Sequence, residues 1–213
     1  MGSNHSLSQM SKIWNDWFSK YEILLPLYRI WDGIEVGKYG CLLRGIGLNT
    51  SLELGCGSGI LTKFLMRQKV HTALLVDYSE KALSVAKKNL KGYGGIGFLK
   101  ENVLDLDLNR KFDLVHSQGL IEHFKGEQRM EVIRKHVQFV EDKGFLLLVV
   151  PRVSRMYMLW RFCGSVLNGG SWVFGYEEPI NPLRLKKIVS DFGLDLIREK
   201  HFCIEYGGLW KKG

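Results

Sequence analysis

Three glycines stand at alternate positions in LELGCGSG: Gly55, Gly57 and Gly59. A short apolar run precedes them and an amphipathic stretch follows. Glycine lets a backbone pass close to a ligand and adopt dihedrals that a Cβ disfavours. Alone, such a loop suits a ligand or a bare strand-to-helix turn equally well. A second feature shifts the balance. The next apolar run, ALLVD, ends in Asp77, 22 residues after Gly55. A carboxylate at about that distance accepts hydrogen bonds from ribose hydroxyls in dinucleotide-binding folds. Together the two features predict an adenosine-binding crevice. The glycine spacing here is G-x-G-x-G with Glu53 before it, not the G-x-G-x-x-G that faces a pyrophosphate, so a nucleotide-dependent oxidoreductase is disfavoured.

The elements that must position these residues alternate along the chain. SLELG, ALLVD, IGFLKENV, FDLVHSQ and GFLLLVVP read as strands, the last fully buried and ended by Pro151. ILTKFLMRQK, SEKALSVAKKNLK and EQRMEVIRKHVQFVED read as helices. Ser79 caps the second of these, and Met130, Ile133, Val137 and Val140 form the stripe of the third. NPLRLKKIVSDFG is a further helix, with Asn181 as cap, Pro182 in its first turn and Gly193 as its stop. LDLIREKHFCIEY supplies one or two closing strands. Strands that are almost wholly apolar, separated by helices, imply an α/β doubly wound, mostly parallel sheet.

The run LELGCGSG resembles the first motif of class I S-adenosylmethionine-dependent methyltransferases. The resemblance continues in order from Leu52 to Pro151, through VDYSEKAL, FLKENVLDLDL, FDLVHSQGLIEHF and GFLLLVVP. The subgroup it is most similar to is the small-molecule, quinone-biosynthesis-like one. It implies a Rossmann-like seven-stranded sheet, N-terminal helices, and a helical lid after strand five. It also implies S-adenosylmethionine as cofactor. Glu53 would orient the methionine ammonium. Gly55, Cys56 and Gly57 would run along the cofactor, with Gly59 keeping the helix start close. Asp77 would bind the ribose and Tyr78 would lie against the adenine. Asn102 and Val103 would meet the adenine edge, with Asp105 as a competitor for Asn102. Ser117 and Gln118 would flank the methionine end.

Methyl transfer from a sulfonium needs alignment above all. A base matters only where the acceptor must lose a proton. His123, in GLIEHF, is the candidate catalytic base, with a structural role in its loop as the alternative. Glu122 is the weaker candidate, and His116 reads as a core or edge histidine. The remaining histidines show no ligand spacing, so no metal is expected.

Two regions fall outside the alternation and are expected to choose the acceptor. Residues 10–48, the N-terminal cap, hold Trp14, Trp17, Phe18, Tyr21, Tyr28 and Trp31; Tyr21 or Tyr28 would close over the cofactor as such helices do in the family. Residues 152–180, the lid insertion, include RVSRMYMLWRFCG, with Arg152, Arg155 and Arg161 among apolar residues and no acid. That run suits a lid over a hydrophobic or anionic small-molecule acceptor, a membrane-surface encounter, or a core helix whose arginines reach solvent. Residues 51–151 form the cofactor-binding core and 181–213 the closing helix and strands of one domain. Residues 1–9 read as a tag remnant or disordered.

Methylation of RNA or protein and a non-catalytic, cofactor-binding partner subunit are the alternatives. Nucleic acid is disfavoured: no Asn/Asp-Pro-Pro-aromatic motif follows strand four, where SQGL stands. The net charge of +8 is spread along the chain and gives only unspecific attraction. Cys41, Cys56, Cys163 and Cys203 are too scattered for a disulfide framework and read as mostly buried thiols. No apolar run reaches the roughly 18 residues of a bilayer span. The start lacks signal-peptide anatomy, so a cytoplasmic protein is expected.

Overall fold

The computed structural model describes residues 12–19, 25–172 and 174–213; the side chains of 25–32, 35 and 167 are outside the description. The expectations for residues 1–9 and for Tyr21, Tyr28 and Trp31 therefore fall outside it. A first helix, α1, spans residues 12–19. The order then runs α2 (Leu25–Leu43), β1 (Thr50–Leu54), α3 (Ile60–Arg67), β2 (Thr72–Asp77), α4 (Glu80–Asn89) and β3 (Ile96–Lys100). It continues with β4 (Phe112–Gln118), a 3-10 turn at Ile121–His123, α5 (Gly126–Gln138) and β5 (Val140–Pro151). The last elements are α6 (Arg155–Leu167), α7 (Pro182–Asp191), β6 (Leu194–His201) and β7 (Glu205–Lys212).

The strands form one seven-stranded sheet in the order β3-β2-β1-β4-β5-β7-β6. All neighbours are parallel except β7, which runs antiparallel to both β5 and β6. From β1 the chain winds through β2 to β3 on one side, and from β4 to β5 on the other. The direction reverses between β1 and β4, which is where open α/β sheets bind ligands.

β5 explains why its sequence is a continuous apolar run. Leu146, Leu148 and Val150 pack into one cluster with Val132, Ile133 and Val137 of α5 and Leu185 and Val189 of α7. Leu147 and Val149 face the other way, against Tyr39 and Leu42 of α2 and Leu61 and Leu65 of α3. Both faces of the strand are covered, so neither can be polar.

Local signals fix the helix ends. Ser79 Oγ accepts the Ala82 N–H at 3.1 Å, and Asn181 Oδ1 accepts those of Leu183 and Arg184 at 2.9 and 3.4 Å. Gly193 ends α7 with φ of 82°. Other expectations need correcting. α5 stops at Gln138, and Val140 belongs to β5, opposite Phe112, instead of the helix stripe. The closing segment is two strands, and the second extends through GGLWKK. Of the four cysteines only Cys56 is buried, while Cys41, Cys163 and Cys203 are exposed. Cys41 and Cys163 occupy solvent-facing positions on α2 and α6, which a reading of scattered thiols does not reveal.

Gly59 is the tightest joint. It begins α3 with φ of 68°. A Cβ there would sit 3.0 Å from Ala86 Cβ, 3.1 Å from Leu75 Cδ2 and 3.1 Å from Leu90 Cδ1, where α3, α4 and β2 meet. Gly59→Ala would combine left-handed strain with crowding, and should cost at least about 2 kcal/mol. Urea unfolding would show this as a lower midpoint at unchanged slope.

Candidate active site

The loops after β1, β2 and β4 open onto the switch point. Gly55, Gly57 and Gly59 all take left-handed φ, of 65°, 51° and 68°. At Gly57 the loop is approached from above: a Cβ would lie 3.0 Å from Phe18 Cζ of α1. At Gly55 it would lie 2.8 Å from Leu120 Cδ1, in the loop after β4. At Gly55 and Gly57 the loop therefore presents backbone alone to its surroundings.

Asp77 ends β2 and is 8% exposed. Its Oδ2 accepts the Gly57 N–H at 3.0 Å and its Oδ1 accepts the Ser79 N–H at 2.8 Å. Burial nevertheless raises its pKa to about 6. Glu53 lies one strand across, 3% exposed, and its Oε2 accepts the Thr62 hydroxyl of α3 at 2.5 Å. Burial raises its pKa to about 8, with a further push from the Asp77 charge. Two buried carboxyls thus sit at the carboxyl ends of adjacent strands, and the Glu53 carboxyl keeps its proton at neutral pH. Cys56, between the glycines, is buried, and burial pushes its thiol well above the ordinary range, so it is not a nucleophile. The buried Tyr78 hydroxyl has no hydrogen-bond partner among the described residues.

Other predicted residues are placed differently from one another. Asn102 Nδ2 donates to Asp105 Oδ2 at 2.8 Å, and Asn102 Oδ1 accepts the Leu104 N–H at 3.2 Å. The two candidates for the adenine edge therefore hold each other in one turn, with Val103 buried beside them. Ser117 turns toward α5. His136 Nδ1–H donates to Val132 O at 2.7 Å, which leaves His136 Nε2 to accept the Ser117 hydroxyl at 2.9 Å. Gln118, next along the strand, points to the opposite face. There its Nε2 donates to Glu205 Oε1 at 3.2 Å, and Glu205 also pairs with Lys38 of α2.

His123 Nδ1 is 2.6 Å from the Tyr176 carbonyl, so the ring donates from Nδ1. Trp14 of α1 stands edge-on to it at 5.2 Å. Burial lowers its pKa below the usual value, against the pull of the Tyr176 and Gly119 carbonyls and the Glu177 charge. The ring is neutral at pH 7, with its basic lone pair on Nε2. His116 is fully buried against Tyr39, and burial lowers its pKa to about 3, which makes it a neutral core residue as expected.

Sequence reasoning missed Glu177 altogether and gave Glu122 too little weight. Glu177 is 6% exposed and accepts the Tyr157 hydroxyl at 2.7 Å and the Trp172 indole N–H at 2.9 Å. Arg161 donates to its carbonyl at 2.7 Å. One carboxylate thereby ties α6 to the segment that follows it. Above it Trp14, Trp17, Trp160, Trp172 and Phe174 form a continuous set of ring contacts, with Trp14 stacked on Phe174 at 5.7 Å. Glu122 is 2% exposed, its Oε2 has no partner among the described residues, and burial together with the Glu177 charge pushes its pKa well up. The one sequence mark of this cluster is that Glu177 is the first acid after Asp142.

A cavity of about 480 Å³ lined by Gly40, Arg44, Leu48, Phe64 and Val70 lies before β1 and β2, at the amino ends of the strands. It is on the wrong side of the sheet for this crevice.

A doubly wound sheet with a glycine-rich loop at its switch point and a buried acid on the next strand suits a protein that binds an adenosyl group. Comparison with known proteins fixes the class. Residues 52–144 match the family model described as a methyltransferase domain. The ubiquinone biosynthesis O-methyltransferase of Rickettsia canadensis (strain McKiel) is 25% identical over 202 residues, covering 89% of this chain and 82% of that protein. A malonyl-[acyl-carrier protein] O-methyltransferase of Calditerrivibrio nitroreducens is 26% identical over 102 residues, covering 48% of this chain and 38% of that one. In fold, the chain superposes on magnesium protoporphyrin IX methyltransferase from Synechocystis PCC 6803 with bound S-adenosylmethionine, at a TM-score of 0.68 and 17% identity. That match covers 99% of this chain and 100% of the other. The matched domain, the named relatives and the shared fold support an S-adenosylmethionine-dependent methyltransferase.

The buried acids set a pH dependence for the ligand-free protein. Glu53 and Asp77 have folded pKa values of about 8 and 6, above their ordinary values of 4.5 and 3.8. The folded state then holds more protons than the unfolded state between these limits. The stability these two groups contribute is fully present below about pH 4 and is lost as pH rises to 8. Thermal melts should show Glu53→Gln more stable than wild type at pH 8, with the gap closing at pH 5. A gap that widened toward acid would contradict the raised value.

Proposed function

We propose that the enzyme moves the methyl group of S-adenosylmethionine to a small, largely apolar acceptor held under the aromatic cluster of Trp14, Trp160, Trp172 and Phe174. The observation that carries the donor side is the pairing of Glu53 and Asp77 around the bare glycine loop. Buried carboxyls of raised pKa are complementary to a cation and to a pair of hydroxyls, and the cofactor's methionine ammonium and ribose diol supply these. Support for a small acceptor comes from the relatives, whose names refer to ubiquinone biosynthesis, malonyl-[acyl-carrier protein] and magnesium protoporphyrin IX.

The residues fit the cofactor. Gly55, Cys56 and Gly57 offer backbone along its length, and Gly59 brings the helix start near. Asp77 accepts from the ribose, and the orphaned Tyr78 hydroxyl lies where the adenine would rest. Asn102 and Val103 border the adenine edge, Asn102 after exchanging its bond to Asp105. Ser117 and Gln118 meet the methionine end through backbone, since both side chains are engaged elsewhere. When bound, the cofactor supplies an already activated methyl sulfonium.

The protein's part is alignment, exclusion of water by the aromatic wall, and removal of a proton where the acceptor carries one. His123 takes that proton on Nε2, while Nδ1–H holds the ring to Tyr176. For an acceptor that is already anionic the same ring acts only by position.

Cofactor binding by this arrangement depends on pH. An ammonium prefers the ionised form of Glu53, so below pH 8 the Glu53 proton must leave first. Calorimetry with S-adenosylhomocysteine should show affinity rising by up to about tenfold per pH unit from pH 6 to 8. Glu53→Gln should flatten that slope, and Asp77→Ala should weaken binding at least about tenfold. An unchanged affinity in Asp77→Ala would remove the ribose assignment.

His123→Asn preserves a donor toward Tyr176 but has no basic lone pair. With a protonated acceptor, turnover should fall about 10²–10⁴-fold while cofactor affinity stays at the wild-type value. Turnover within a few-fold of wild type would make His123 a clamp and nothing more.

A further inference from the structure

The two sides of α6 are reversed relative to an ordinary surface helix. Its inner face is held by polar and aromatic contacts. Tyr157 is buried on Glu177, Arg161 reaches the Glu177 carbonyl, and Gly164 backs onto Trp172, where a Cβ would lie 2.7 Å from Cζ3. Its outer face is apolar and in water. Met158, Leu159, Phe162 and Val166 recur at helical spacing and are 55%, 58%, 66% and 60% exposed. Val153 and Met156 extend this face at 63% and 52%. A helix normally turns its apolar stripe inward, and a contiguous exposed apolar patch marks a surface that something covers.

Charge indicates what covers it. From Lys143 to Tyr176 there is no Asp or Glu, while Arg152, Arg155 and Arg161 lie within or beside α6. Arg155 is exposed and forms no ion pair among the described residues. A second copy of this chain would bring two arginine-bearing, acid-free faces together with no carboxylate to pair them. An anionic lipid surface matches both properties: acyl chains for the apolar stripe and phosphates for the exposed Arg155.

We infer that α6 is an interfacial helix that seats the enzyme on an anionic membrane surface, with Met158, Leu159, Phe162 and Val166 in the acyl boundary and Arg155 among the headgroups. Trp160 belongs to both sides. It is 37% exposed and contacts Trp172 and Phe174 of the aromatic wall. A lipophilic acceptor would then pass from the bilayer to the crevice along one helix; that last step rests on the function proposed above, whereas the docking does not.

Vesicle flotation tests the docking. Wild type should float with vesicles of equal parts phosphatidylglycerol and phosphatidylcholine, and not with phosphatidylcholine alone. The doubly substituted Phe162→Ser/Val166→Ser protein and, separately, Arg155→Glu should each lose at least about tenfold in the bound fraction. Both variants change exposed side chains, so both should keep wild-type affinity for S-adenosylhomocysteine. Absence of wild-type protein from the anionic vesicles, or flotation of the double variant equal to wild type, would overturn the inference. So would a wild-type dimer in light scattering that the double variant loses while neither protein floats. Cofactor affinity and turnover are read separately, so failure here leaves the proposed function standing, and the reverse.

Discussion

The carboxylate of Asp77 is the joint on which the rest of the crevice depends. One oxygen holds the Gly57 N–H and the other the Ser79 N–H. The loop after β1 and the loop after β2 are therefore fixed to each other through one side chain. Ser79 goes on to cap α4 and to donate to Asn15 Oδ1 of α1 at 2.7 Å. A single buried acid thus sets the glycine loop, the start of a helix and the seat of the first helix. A carboxylate that accepts charge-assisted bonds would ordinarily be strongly acidic. Here burial outweighs those bonds and leaves its pKa near 6.

That joint also links the two halves of the site. α1 touches the donor side through Phe18 on Gly57 and Asn15 on Ser79. It touches the acceptor side we propose through Trp14 on His123 and Phe174, and through Trp17 on Phe174. On the far side Glu177 gathers Tyr157 and Trp172 in the same manner as Asp77 gathers its backbone donors. Two buried acids therefore organise two segments that lie outside the strand–helix alternation. Removing either would leave buried donors unpaired, which costs more than the net worth of the bonds.

How much of this was legible in the sequence follows from how local each signal is. The strands were visible because burial on both faces forces unbroken apolar runs, as in FLLLVV of β5. Caps were visible because Ser79 and Asn181 act on residues two or three ahead. The glycine loop and Asp77 were visible as a pair because a βαβ unit fixes their separation. By contrast, Val140 was misplaced because an apolar residue continues a helix stripe as readily as it starts a strand. Ser117 gave no hint that it would face His136, since side-chain direction on a fully buried strand has no polar alternation to betray it. Glu177 was invisible because its partners lie 5 and 20 residues back, on an element with no regular spacing to them.

The part of the molecule to which the proposed function assigns acceptor choice is accordingly the part that sequence patterns describe least. Cofactor binding is built into strand ends, whose positions the sheet dictates, and the same solution can serve many acceptors. The acceptor side we propose is assembled from α1, α6 and the loop through Phe174, which are free to vary because no ladder of backbone hydrogen bonds constrains them. What holds them in register is side-chain chemistry: a set of ring contacts and the Glu177 carboxyl, whose charge adds to burial in raising the proton affinity of Glu122. Aromatic walls tolerate many apolar shapes, but a buried carboxyl that retains its proton offers a hydrogen bond of fixed direction. Under the proposed function, shape selection by the rings would therefore be permissive, and discrimination between acceptors of similar size would fall to the polar groups beneath them, where an unmatched hydrogen bond costs far more than an unfilled methylene.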